Sequence, residues 1–207
     1  VTGVQTCALP ILDGLTWKTA FNDLQSAIDF ASANRIYIVR VSKNPVVLGK
    51  SNKGYGLIVP KGVMVVGGQD RTLGPEELAS GERTEIVVSD SLSRDRSFRY
   101  VVGLEGVMNG FTLPSRNDAI SSHGSVDFKK GSSLIGSKIV MRSDGVGRKS
   151  VVSLNMSGIT DTHVSGLEVT GVGGYGKNGG VLLISECSNV LINDSKIFGN
   201  KMAAETD

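Results

Sequence analysis

Met108-Asn109-Gly110-Phe111-Thr112-Leu113 is followed along the chain by three segments of the same pattern. They are Leu134-Ile135-Gly136-Ser137-Lys138-Ile139, Val164-Ser165-Gly166-Leu167-Glu168-Val169 and Ile192-Asn193-Asp194-Ser195-Lys196-Ile197. Each runs apolar, variable, turn-former, variable, mostly polar, apolar. The turn-formers at 110, 136, 166 and 194 stand 26, 30 and 28 residues apart. At about 3.3 Å of rise per strand residue, such an interval holds three short strands and three turns, which is one coil of a β-helix. The alternation within each unit suits a strand with one face in a core. A string of short strands would also suit a β-sandwich, and this internal period is what favours the solenoid.

Upstream of the repeats, Ile36–Val41, Leu57–Val59, Val63–Val66 and Ile86–Val88 are short β-branched runs separated by Gly, Pro, Asn or Lys clusters, the chemistry of strands and turns. Earlier still the period changes. Phe21, Leu24, Ala27, Ile28 and Ala31 recur at three- and four-residue intervals, which predicts an amphipathic helix over about Ala20–Ala33. The first coil of a solenoid leaves an open apolar core and unpaired backbone edges, so a helix placed there is expected to close that end. The expected fold is therefore all-β, a right-handed parallel β-helix with an N-terminal amphipathic capping helix.

Composition agrees with frequent tight turns: 27 of 207 residues are Gly, against a usual share of roughly 7%. Lys and Arg number 22 and Asp and Glu 20, a formal charge of +2. So even a balance argues against nucleic acid or an anionic membrane as partner. No apolar run reaches the length of a membrane-spanning helix. The two cysteines, Cys7 and Cys187, form no metal-binding spacing with His123 and His163, so neither a metal nor a cofactor is expected.

Val1–Ile11, VTGVQTCALPI, carries no charge and no periodicity. Translation of a widely used sequencing-library adapter gives the same eleven residues in the same order, so this segment is set apart as an artefact. Residues 12–207 are then expected to form a single β-helix domain, with an N-terminal cap at about 12–40 and coils at about 57–200. Lys201–Asp207 follows a strand-and-turn unit without a capping pattern, and further coils are expected beyond it.

Asp13-Gly14-Leu15-Thr16-Trp17-Lys18-Thr19-Ala20-Phe21-Asn22-Asp23-Leu24-Gln25-Ser26-Ala27-Ile28 resembles the D-G-x-x-W-x-x-A-F-x-D-L-Q-x-A-I opening of bacterial β-helical surface proteins. These proteins are similar to polymorphic outer-membrane proteins, within the pectin-lyase-like superfamily. Gly62-Val63-Met64-Val65-Val66-Gly67-Gly68, Arg83-Thr84-Glu85-Ile86-Val87, Asn109-Gly110-Phe111-Thr112, Gly179-Gly180-Val181 and Ser195-Lys196-Ile197-Phe198-Gly199-Asn200 resemble further motifs of that group, over nearly all of Leu12–Asn200. Two features depart from it: Ser42-Lys43-Asn44-Pro45 stands in place of the usual G-T-Y, and Ser195 in place of a Cys. The resemblance implies a non-catalytic, extracellular or cell-surface scaffold, adhesin-like or carbohydrate-binding, with a polysaccharide or host glycan as partner. The alternative it leaves is a polysaccharide lyase or glycoside hydrolase whose active coils are partly missing.

Equal offsets from the repeat mark become ladders in a coil stack. Arg116 and Asp118 lie six and eight residues after Gly110, and Arg142 and Asp144 lie six and eight after Gly136. Two such R-x-D units side by side on an exposed turn could hold an acidic sugar through arginine forks or a cation through the carboxylates. The structural alternative is a solvated ladder of weak ion pairs. Asn117-Asp118-Ala119-Ile120 resembles a hydrolase motif only faintly. His123 is expected in an exposed loop, His163 at a turn or strand edge, and Cys187 as a buried or half-buried space-filler. Gly171–Gly176 is expected to be a flexible turn, because no G-K-[ST] follows it.

Overall fold

A computed structural model describes residues 3–6, 17, 19–70, 82–117, 122–143, 152–171 and 180–198. The strands come in successive triplets. After β1 (Gly3–Thr6) and the helix α1 (Leu24–Ala33) come β2 (Ile38–Ser42), β3 (Val46–Leu48) and β4 (Tyr55–Val59). The next triplet is β5 (Met64–Gln69), β6 (Thr84–Val88) and β7 (Tyr100–Leu104), with the short helix α2 (Asp90–Ser93) before β7. Then follow β8 (Val107–Asn109), β9 (Phe111–Asn117) and β10 (Ser122–Phe128); β11 (Ser133–Ile135), β12 (Lys138–Ser143) and β13 (Val152–Ser157); and β14 (Thr160–Ser165), β15 (Glu168–Gly171) and β16 (Gly180–Ser185). The described strands end with β17 (Ser188–Asn193) and β18 (Lys196–Ile197).

From β2 to β15 each strand pairs in parallel with the strand three places on, giving a β-solenoid with three sheets. The first sheet runs β2, β5, β8, β11, β14, β17; the second runs β3, β6, β9, β12, β15, β18; the third runs β4, β7, β10, β13, β16. Parallel stacking disposes of the sandwich alternative. One short antiparallel contact, Asn117 with Ser122 and Arg116 with His123, joins β9 to β10 across the second and third sheets.

The four repeat units stack as their spacing predicts. Met108, Leu134, Val164 and Ile192 are register partners in the first sheet, and Leu113, Ile139, Val169 and Ile197 in the second. Between those sheets the chain turns through one left-handed residue per coil: Gly110 (φ +77°), Gly136 (+52°), Gly166 (+61°) and Asp194 (+50°). Glycine takes this conformation without a Cβ penalty, and Asp is among the few other residues that tolerate it. The corner amides remain bonded along the column, Gly110 N–H to Ile135 O at 3.1 Å, Gly136 to Ser165 at 2.9 Å and Gly166 to Asn193 at 3.2 Å.

Inside the three sheets lies one continuous apolar core that includes Val65, Leu104, Phe111, Phe128, Leu134, Ile139, Leu154 and Val169. Each fully buried aliphatic or aromatic side chain contributes roughly 1.5–3 kcal/mol.

Helix α1 is shorter than predicted, starting at Leu24 and not near Ala20. Asp23 causes this. Its carboxylate accepts from the Ser26 amide at 2.7 Å, satisfying a first-turn N–H and holding its own backbone extended. The face carrying Leu24, Ala27, Ile28 and Ala31 is buried in the common core. Gln25 makes a backbone-like pair with β4, accepting from Ile58 N at 2.7 Å and donating to Ile58 O at 3.1 Å.

Gly3–Thr6, within the segment set apart as adapter-derived, pairs in parallel with Ile38–Val41. An edge strand recruits any extended backbone through main-chain groups, so this pairing carries no information about the segment's origin.

Candidate functional site

Along β9, Thr112, Pro114 and Arg116 alternate with the buried Phe111, Leu113 and Ser115 and so face outward from the second sheet. The register places Glu85, Thr112, Lys138, Glu168 and Lys196 in one transverse row, Pro114 beside Val140, and Arg116 beside Arg142. The two arginine positions are thus direct neighbours, as the offsets imply. They sit at the ends of strands and not on a turn, because pairing continues through Ser143 and Asn117. Asp118, Asp144 and the side chain of Arg142 lie outside the described residues.

A groove of about 200 Å³ lies over β6, β9 and β12, lined among others by Glu85, Val87, Pro114, Arg116, His123 and Val140. Its lining mixes apolar side chains with polar ones, a guanidinium and a carboxylate among them. Arginine offers a planar fork of donors to a carboxylate, sulfate or phosphate, while a glutamate accepts from hydroxyls.

His123 corrects an expectation. It is not in an exposed loop but 2% exposed within β10, its ring centroid 4.9 Å from that of Phe98. The polar neighbours Ser122 and Gly124 suggest a turn, yet the contact with β9 draws them into a ladder. His163 is not at a strand edge either: β14 is paired on both sides, and the ring meets Asn193 Oδ1 at 2.9 Å. Cys187 is half-buried, as expected, with its thiol on the carbonyls of Met156 and Ser185. The glycine-rich segment after Gly171 lies outside the described residues. Among the described residues no three His, Cys, Asp or Glu side chains converge as metal ligands, and no helix is long and apolar enough to cross a membrane.

The sequence reading misses a second cluster, on the outer face of the third sheet. Asp127 is 6% exposed and accepts three hydrogen bonds: Tyr55 Oη at 2.6 Å, Lys129 Nζ at 2.8 Å and Asn155 Nδ2 at 2.8 Å. These residues come from β4, β10, β13 and the turn after β10, so the solenoid alone brings them together. Tyr55 and Tyr100 are register partners, with ring centroids 6.5 Å apart and planes 27° from parallel. Glycines at strand centres are the signal that could have revealed the cluster, since Gly103 and Gly124 mark places where another group lies close to the backbone.

The cluster has a pH signature. Burial pushes the Tyr55 and Tyr100 phenols up, and the Asp127 carboxylate pushes them further. Burial works against the Lys129 ammonium, but its hydrogen bond and attraction to Asp127 prevail and raise its pKa as well. Groups with raised folded-state values stabilise fully below their unfolded values and lose that contribution as pH rises through the folded ones. Thermal unfolding should therefore show a steady contribution from these residues up to about pH 10 and a falling melting temperature above it. In the Asp127→Asn protein that alkaline fall should begin at the same pH, be shallower and level off sooner.

The chain matches no protein-family model, no curated protein and no solved structure, so its fold and sites rest on its own residues.

Proposed function

We propose that this chain is a non-catalytic scaffold that binds acidic polysaccharide along the second sheet of a right-handed β-helix displayed on a bacterial surface or secreted. The observation that carries the binding reading is the in-register placement of Arg116, which lines the groove, and of Arg142 on the next strand. Arginine positions one strand apart suit successive carboxylates or sulfates of an extended chain. The surface location, the handedness and the kinship with polymorphic outer-membrane proteins rest on the sequence resemblance. The capping role of α1 is supported by its buried face and by the Gln25 pair, which occupies hydrogen-bonding groups of the first strand of the third sheet.

Calorimetric titration with oligogalacturonate is the test. Binding should weaken with added salt, and Arg116→Ala should reduce affinity about tenfold, which is about 1.4 kcal/mol. Absence of binding to oligogalacturonate and to heparin-derived oligosaccharides would remove the proposal. Depolymerisation that disappears in the Asp118→Asn, Asp144→Asn protein would replace it with the lyase or hydrolase alternative.

A further inference from the structure

The third sheet offers a flat aromatic surface whose construction has no counterpart in the arginine groove. A Cβ built on Gly103 would stand 3.0 to 3.1 Å from three successive ring atoms of Tyr55, namely Cδ1, Cε1 and Cγ. Near-equal distances to adjacent ring atoms place that point over the ring face and not at its edge. A Cβ on Gly124 would stand 2.5 and 2.6 Å from Cε1 and Cδ1 of Tyr100, with the Val152 carbonyl oxygen nearer still. Tyr55 therefore lies down over a glycine of the next strand, and Tyr100 packs against one, each in space a side chain would fill. One face of the Tyr55 ring is spent on the backbone, and the Lys129 ammonium stands over the ring 5.9 Å from its centroid. Both tyrosines are half-buried, as that posture requires.

A hydrogen-bonding rim adjoins the rings. Asp127 fixes Tyr55 through its hydroxyl, and Asn155 follows one strand further on, register partner of Asp127. An ionised carboxylate has about four acceptor positions, of which the described donors occupy three. The Lys129 ammonium is 2.8 Å from Asp127, so the pair is locally neutral.

We infer that Tyr55, Tyr100, Asp127 and Asn155 form a second glycan site, for neutral hexopyranose residues of an oligosaccharide lying along the solenoid axis. The negative face of an aromatic ring attracts the weakly positive C–H bonds of a pyranose, and equatorial hydroxyls reach acceptors and donors beside the ring. Two tyrosine rings in successive strands, 6.5 Å apart, match two sugar positions of one chain. The neutral Asp127–Lys129 pair gives no advantage to an acidic sugar, which separates this site from the arginine groove. It stands on its own observations, and failure of one site leaves the other untouched.

The test is titration of the whole chain with cellohexaose, xylohexaose, mannohexaose and maltohexaose, followed by calorimetry and by the ring resonances of the tyrosines. At least one hexasaccharide should bind. Its C–H protons should show nuclear Overhauser contacts to the Tyr55 or Tyr100 ring in the unaltered protein. Tyr100→Ala should weaken that binding at least tenfold, and Arg116→Ala should leave it within a factor of two. The inference is overturned if none of the four sugars shifts a tyrosine resonance, if bound sugar shows no contact to either ring, or if Arg116→Ala abolishes binding. The ring contacts in the unaltered protein decide the matter should Tyr100→Ala fail to fold.

Discussion

Phe111→Ala lowers the free energy of unfolding by about 3–5 kcal/mol. Phe111 is fully buried and follows immediately on the Gly110 corner, where the first sheet gives way to the second. Its ring lies 3.1 Å from the point where a Cβ on Gly67 would stand, so the residue fills the gap between two coils as well as its own layer. Truncation removes the transfer energy of the aromatic side chain and leaves a cavity. In a helical bundle neighbouring elements shift to fill part of such a space. Here the walls are strands held at about 4.8 Å by ladder hydrogen bonds, and collapse would break those bonds. Against a total stability of about 5–15 kcal/mol for an ordinary domain, the loss is a large fraction. Urea unfolding followed by circular dichroism measures it. Phe198→Ala serves as the control: at 53% exposure it should change stability by no more than about 0.5 kcal/mol. Equal effects from the two substitutions would contradict the packing described.

The parts of the fold that were legible in the sequence are those where the solenoid uses one residue type for one job in every coil. Met108, Leu134 and Val164 are buried apolar residues, Ile192 holds the same register in the last described coil, and Gly110, Gly136, Gly166 and Asp194 all tolerate a left-handed turn, so their period is visible without coordinates. Arg116 and Arg142 became neighbours for the same reason. What could not be seen depends on contacts outside the period. His123 is buried because β9 and β10 meet in an antiparallel contact that no repeat encodes. The helix start is displaced by a single side chain, Asp23, whose bond to the Ser26 amide outweighs the apolar stripe upstream. The tyrosine cluster lies in the early coils, whose lengths differ from those counted from Gly110. Tyr55, Tyr100 and Asp127 therefore share no common offset, and their meeting is a property of the stacked third sheet.

The corner column gives the second large effect. Gly136→Val should cost about 1–3 kcal/mol, while Gly136→Asn should cost much less. At φ +52° a β-branched side chain is forced into a region it rarely adopts, whatever space surrounds it. Space is not the difficulty, since within 4 Å an added Cβ would meet only the Asn109 amide oxygen, at 3.1 Å. That makes the substitution a measure of backbone strain with little contribution from packing. Asp194 already shows that a short polar side chain can hold the same corner at φ +50°, and Asn is its closest uncharged counterpart. Thermal unfolding of both variants separates the two contributions. A corner that turned by some other conformation would leave Val and Asn indistinguishable. A corner limited by crowding would penalise both alike. A gap between them is expected only if the chain passes from the first sheet to the second through a left-handed residue in each coil, which is the feature that makes four dissimilar hexapeptides one structural repeat.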